Sequence, residues 1–281
     1  MIFVTLLKKV SRRWIAGETL EEALIKANRA NEKGMKSIVN FLGEELTSRE
    51  DIEHTLGEYI KALNAIENLK LNCSISVKLT QLGLKIEDNY CKLKLHKLIK
   101  EASSRDIFVW IDMESSKYTQ KTIDIYNWLL EKYNGVGLAI QSYLKRSEAD
   151  VKELIRKNGK IRLCKGAYKE STEIAYKSKK DIDKNYFKLM KILFESGKFF
   201  AIATHDDRLT NEAIKLNKKY PVNFEFQMLM GIRDDLKPIL MEAGYRLCEY
   251  IPYGRDWLPY SVRRLRERKR NVLLLLRALL S

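Results

Sequence analysis

Residues 160–168 read KIRLCKGAY, a short β-prone apolar run that stops on polar residues before a helical stretch begins. Seven further segments repeat that plan: Ser37–Gly43, Cys73–Leu82, Phe108–Met113, Val136–Tyr143, Phe199–Asp206, Phe224–Leu229 and Tyr245–Tyr253. Parallel strands need a crossover between them, so strands alternating with helices predict βαβ units. Eight such units in about 250 residues match the count and size of a closed (β/α)8 barrel. Barrels of this kind carry their chemistry at the C-terminal ends of the strands. Standing there are Lys78, Asp112, Gln141, Arg162 with Lys165, Thr204 with His205, and Gln227. Charged groups at so many strand ends are poor packing material, and they read as one site.

Composition predicts a single domain over residues 1–281. With 45% hydrophobic residues the chain can bury a large core, and no Ser/Gly/Pro-rich linker divides it. The cysteines, Cys73, Cys91, Cys164 and Cys248, form no CxxC pair, and three lie in apolar strand runs where free Cys packs as a small hydrophobe. Neither a disulfide nor a metal site is expected. The start, MIFVTLLKKVSRRW, places its charges after a short apolar stretch, the reverse of a secretory signal. No run approaches the roughly 18 apolar residues of a membrane span, so a cytoplasmic location is the expectation.

The net charge of +15 raises the question of nucleic acid. Much of the lysine is dispersed over predicted helices, as at Lys92, Lys94, Lys97 and Lys100, which describes a solvated outer face. No nucleic-acid motif accompanies it, and no nucleic-acid partner is expected. An anionic membrane surface suits the charge better, since each basic residue near such a surface contributes about 1 kcal/mol. Neither GxGxxG nor GxxxxGK is present, which argues against Rossmann and P-loop nucleotide sites. His54 and His96 fall in helical stretches and read as surface residues, whereas His205 directly follows the Phe199–Thr204 strand. Near the C-terminus, Tyr260, Arg263, Arg264 and Glu267 fall at i, i+3, i+4 and i+7, so on a helix they project together. Two adjacent guanidiniums make a fork suited to a carboxylate or phosphate.

The blocks that carry these residues resemble, in order, those of the monofunctional, flavin-dependent proline dehydrogenases of bacteria and archaea. They run from IAGETLEEALIKANRANEKGMKSIVNFLGEEL through SVKLTQLGL, WIDMESSKYT, IQSYLKRSEAD, IRLCKGAYKES, ATHDDRL and FEFQMLMGIRDDL to PYGRDWLPYSVRRLRER. The resemblance implies an α/β fold, a distorted TIM-like (β/α)8 barrel with N-terminal and C-terminal helical segments. It implies oxidation of L-proline to (S)-1-pyrroline-5-carboxylate, the first step of proline degradation to glutamate. The cofactor would be FAD, with FMN left open, and electrons would pass to a membrane quinone. Peripheral attachment to the inner face of the membrane and oligomerisation are left open.

By matching position, Asp112 and Arg162 would be catalytic. Lys78, Arg263 and Arg264 would hold the proline carboxylate, and Tyr168, Tyr250 and Tyr260 would wall the ring. Met113, Gln141, Lys165, Gly166, Ala167, Thr204, His205 and Glu267 would contact the cofactor. Three cations would neutralise and orient a carboxylate, and Asp112 would offset part of their mutual repulsion. Reduced flavin is anionic at its pyrimidine edge, so donors such as Arg162 and Lys165 would favour reduction.

Two departures from the family pattern stand out. Lys169 follows KGAY where Trp is common, and Asp206 replaces the neutral amide of ATHN. Asp206 beside a pyrophosphate would be unfavourable unless it turns to solvent. Two other classes remain open on the residues alone: a barrel enzyme acting on another cyclic amino acid such as 4-hydroxyproline, and a basic barrel without catalysis.

Overall fold

The computed structural model describes residues 7–267 apart from Lys9, with side chains described as far as Arg264. Helix α1 (Leu20–Glu32) leads into β1 (Lys36–Phe41), followed by α2 (Arg49–Asn68), β2 (Cys73–Lys78), α3 (Asp88–Ser103) and β3 (Val109–Asp112). The chain continues through α4 (Ser116–Leu130), β4 (Val136–Gln141), α5 (Ser147–Arg156), β5 (Lys160–Cys164) and α6 (Lys179–Ser196). It ends with β6 (Phe200–Ala203), α7 (Asp207–Lys219), β7 (Phe224–Leu229), α8 (Leu236–Glu242), β8 (Arg246–Tyr253) and α9 (Trp257–Glu267). The strands pair in chain order into a closed barrel. Closure is parallel, β1 lying on β8 from Lys36↔Cys248 to Phe41↔Tyr253. The expected (β/α)8 architecture is therefore present.

Local chemistry sets the elements. Thr19 caps α1 in a capping box with Glu22, and Leu20, Ala23, Leu24, Ala27 and Ala30 bury one face of that helix. Ser48, Ser178 and Asp206 accept backbone N–H bonds at the starts of α2, α6 and α7. Along β3, Val109 and Ile111 join the core between barrel and helices, whereas Trp110 belongs to a separate cluster with Ile38, Ala201 and Cys248. Gly137 makes room for that indole, since a Cβ there would come within 2.4 Å of the Trp110 ring.

Six strands, β1 to β6, stop sooner than the apolar runs suggest, and β2, β5 and β6 do so by the widest margin. After Lys78 the chain turns through a 3-10 helix at Leu79–Gln81, and β6 ends at Ala203. Strand β5 ends at Cys164, and Gly166, at φ +104, turns the chain out of the extended conformation. Burial pushes the Cys73 thiol up to about 11 and the Cys164 thiol up to about 12, so neither is a ready thiolate. Among the described residues, no helix is long and apolar enough to cross a membrane.

Candidate active site

Four strands, β2, β3, β5 and β8, converge on one ion pair, Arg162 buried in the middle of β5 and Asp112 part-buried at the end of β3. Arg162, 4% exposed, donates through Nη1 to Asp112 Oδ1 at 2.6 Å and to Ser76 Oγ at 3.1 Å. Ser76 Oγ also donates to Asp112 Oδ1 at 2.8 Å, and the Tyr250 hydroxyl donates to Oδ2 at 2.8 Å. Lys78 Nζ lies 3.9 Å from the same Oδ2. The guanidinium sits 4.6 Å from the Trp110 ring centroid and 5.5 Å from that of Tyr250. A buried guanidinium requires such company, because desolvation is otherwise too costly. Burial, and then the Asp112 charge, push the Tyr250 hydroxyl well above its ordinary range, so it stays protonated and donates.

The pair is incompletely satisfied. Nε and Nη2 of Arg162 are buried without a partner, as are Oε1 of Gln141 and Oε1 of Gln227. Orphaned buried groups are expensive and ask for a ligand. An isoalloxazine ring offers ring-nitrogen and carbonyl acceptors together with an N–H donor, which is the complement of this set. Gln141 Nε2 is already committed to the Met113 carbonyl at 3.2 Å, which fixes the direction of its free oxygen. At Gly166 a Cβ would lie 2.2 Å from the Tyr143 ring, so the loop holding Ala167 can approach closely only with glycine there. The residues fit a flavin.

A second group forms the rim. Arg263 on α9 pairs with Glu44 from the loop after β1, and the Tyr168 hydroxyl donates to Glu44 Oε2 at 3.0 Å. The Arg263 guanidinium lies 5.6 Å from the Tyr168 ring, and that of Arg264 lies 5.2 Å from the Tyr260 ring. Helix α9 is seated by an apolar cluster of Leu7, Trp14, Ile15, Leu42 and Trp257, and by Trp14 Nε1 donating to Ser261 Oγ at 3.3 Å. The structure thus brings Tyr260, Arg263 and Arg264 together. The side chain of Glu267 lies outside the described residues.

A third group lies beyond β5 and β6. Lys165 Nζ reaches Asp183 at 2.6 Å and Asp206 at 3.1 Å, while Lys179 holds the same two carboxylates at 2.7 and 3.1 Å. Arg208 adds a contact to Asp183 at 2.6 Å. Burial alone would raise the Asp206 carboxyl, but hydrogen bonds from Lys179 and Lys165 outweigh it and hold it well below the usual carboxylate range. Asp206 therefore neither turns to solvent nor stands as an uncompensated charge. Thr204, 5% exposed, accepts from the Asp206 N–H at 3.2 Å. His205 Nε2 accepts from the Leu229 N–H at 2.8 Å, which in the neutral ring leaves the proton on Nδ1.

Some residues stand elsewhere than expected, and some were missed. His54 is exposed, but His96 is half-buried between α3 and α4, where it meets the Tyr133 hydroxyl at 2.8 Å and packs on Trp128. Glu44, Ser76 and Asp183 escaped the sequence reading. Ser76 could have been found, because it shares a strand face with Lys78 two residues on.

Residues 23–274 match the family described as Proline dehydrogenase. The chain belongs to that family. It is 35% identical over 273 residues to Proline dehydrogenase 1 of Bacillus subtilis subsp. natto, covering 96% of this chain and 90% of the relative. It is 36% identical over 278 residues to Proline dehydrogenase 2 of Bacillus subtilis (strain 168), covering 95% and 92%. Among solved structures, proline utilization A (PutA) from Bdellovibrio bacteriovorus, inactivated by N-propargylglycine, superposes with a TM-score of 0.86 at 26% identity. That match covers 92% of this chain and 32% of the PutA chain, so this chain spans about a third of that protein. Proline oxidation, the first step of proline catabolism, is the activity of the proline dehydrogenase family, and the family is flavin-dependent.

Gly166→Ala is expected to weaken flavin retention roughly fivefold to a hundredfold, the range corresponding to a backbone strain of about 1–3 kcal/mol. Titration of apoprotein with flavin, followed by fluorescence, reads this. Unaltered affinity would mean that the 165–168 loop does not line the cofactor.

Proposed function

We propose that this chain, read as one domain over residues 1–281, oxidises L-proline to (S)-1-pyrroline-5-carboxylate with bound FAD. Bound flavin supplies the two-electron acceptor for the ring carbon–hydrogen bond beside nitrogen. The observation that carries the reading is the Arg162–Asp112 pair, which leaves two guanidinium donors of Arg162 buried without a partner, as are the side-chain oxygens of Gln141 and Gln227 on other strands of the same barrel.

In this reading Arg162 donates to the flavin edge where negative charge develops, and Asp112 keeps that guanidinium oriented while offsetting Lys78. Gln141, Met113, Gly166, Ala167, Thr204, His205 and Glu267 hold the cofactor. Lys165, Lys179 and Arg208 outnumber Asp183 and Asp206 beside the N-terminus of α7, an arrangement that favours a phosphate-bearing tail. This supports FAD. Lys78, Arg263 and Arg264 take the substrate carboxylate, Arg263 exchanging Glu44 for it or sharing it. Tyr168, Tyr250 and Tyr260 exclude water around the saturated ring. Electrons leave to a membrane quinone, and the basic surface supports reversible attachment to the inner face of an anionic bilayer.

The test is an absorbance spectrum of the purified protein before and after anaerobic L-proline. The expected result is an oxidised flavin spectrum bleached by L-proline and untouched by D-proline or L-lysine. A flavin-bearing protein indifferent to L-proline would overturn the substrate assignment and leave the barrel intact.

A further inference from the structure

Every polar group of Thr80 is used, and the pattern links three strand ends. Thr80 follows β2 and is fully buried. Its N–H donates to Glu114 Oε1 at 3.0 Å and its hydroxyl to Glu114 Oε2 at 2.5 Å. The same hydroxyl oxygen accepts the Glu45 N–H at 2.8 Å, and its carbonyl accepts the Leu46 N–H at 3.1 Å. Thr80 thus grips the loop after β1 while Glu114, two residues beyond Asp112, grips Thr80.

That loop is held against its own preference. Glu45 sits at φ 58, a left-handed conformation that non-glycine residues adopt only when their surroundings impose it. The residue before it is Glu44, which meets Arg263 and Tyr168 at the rim. A slack loop would swing Glu44 away from the helix that carries the arginines.

We propose that Glu114 is a positioning residue for proline binding: through Thr80 it fixes the loop after β1, and thereby sets Glu44 against Arg263 and Tyr168. The proposal rests on the site reading above. It makes no contact between Glu114 and substrate or cofactor necessary.

Glu114 is also suited to answer to pH. It is 2% exposed, and burial raises its carboxyl to about 7, against the lowering influence of the Thr80 bonds and the Lys78 charge. Glu44 faces it from the loop after β1, Tyr59 from α2, Cys91 from α3 and Tyr168 from the loop after β5. Above about 7 the carboxylate accepts both Thr80 donors. Below it the added proton competes with the Thr80 hydroxyl for that place, and the grip loosens. The sign follows: KM for proline rises as pH falls through this window.

The experiment compares kcat and KM for L-proline between pH 6 and 8.5 in the wild-type holoenzyme, Thr80→Val, Thr80→Ser, Glu114→Gln, Glu44→Gln and the Thr80→Val/Glu44→Gln double variant. Thr80→Val removes both hydrogen bonds of the hydroxyl and is expected to raise KM about fivefold to thirtyfold, with little change in kcat. Thr80→Ser keeps the hydroxyl and should keep the wild-type KM. Glu114→Gln should abolish the pH dependence of KM in this window. If Glu114 and Thr80 act through Glu44, the double variant is no worse than Glu44→Gln alone. Additive losses, a pH response that survives Glu114→Gln, or a Thr80→Val enzyme with wild-type KM would each overturn the proposal. A Glu44→Gln enzyme with unchanged KM would overturn the rim reading itself, and the proposal with it.

Discussion

Asp112→Ala is expected to unfold at a temperature roughly 6–20 °C below the wild type, even before any effect on turnover is considered. Breaking a buried pair by removing one partner costs about 3–5 kcal/mol. For a chain of this size each kcal/mol moves the midpoint by about 2–4 °C. The removed carboxylate accepts from Arg162, Ser76 and Tyr250 and lies 3.9 Å from Lys78, so four groups lose their common partner at once. Arg162 would then be a buried guanidinium left with one short contact, to Ser76. Asp112→Asn keeps the shape but not the charge, and should fall between. With flavin bound, the same substitution should raise the reduction potential, because Arg162 and Lys78 would act on the ring without an opposing anion. Calorimetry of apoprotein and a potentiometric titration separate the two effects. An Asp112→Ala protein of unchanged midpoint and unchanged potential would show that the pair neither supports the barrel nor tunes the site.

That site was half legible from the order of residues. A strand fixes alternation, and a barrel fixes which end is functional, so Lys78, Asp112, Gln141 and Arg162 could be placed on one floor without coordinates. Strand ends were harder. Leu79 and Leu82 stay buried after β2 has ended, so hydrophobicity continues where the ladder does not. At β5 the limit is set by a backbone angle at Gly166, which one-letter patterning does not express. The loops were harder still. Glu44 meets an arginine 219 positions away, and Lys165 finds Asp183 on a helix whose local pattern only announces an amphipathic surface. Contacts of that kind depend on how the barrel closes and on how α9 is seated. No periodicity encodes them.

The arginines of α9 carry the other large expectation. Arg263 is already paired with Glu44, with about a quarter of its side chain exposed, so it approaches a substrate carboxylate as a guanidinium that must share or exchange its partner. Arg263→Ala leaves Glu44 with Tyr168 and leaves the proline carboxylate short of a cation. Once bound proline closes the pocket over the arginine, truncating one member of the charge pair costs about 2–5 kcal/mol. At 1.36 kcal/mol per decade that is roughly a thirty- to several-thousand-fold loss in kcat/KM. Arg264→Ala should lose a comparable amount, and lysine at either position should rescue only in part, because an ammonium cannot reproduce the planar fork. Arg246, exposed at the opposite end of β8, is the control, and its replacement by alanine should leave proline kinetics unchanged. Pyrrolidine has the ring but no carboxylate. It should be a poor substrate for the wild type and should barely distinguish wild type from either arginine variant. If both variants lose as much activity on pyrrolidine as on proline, the arginines support the fold of α9 and do not grip the carboxylate.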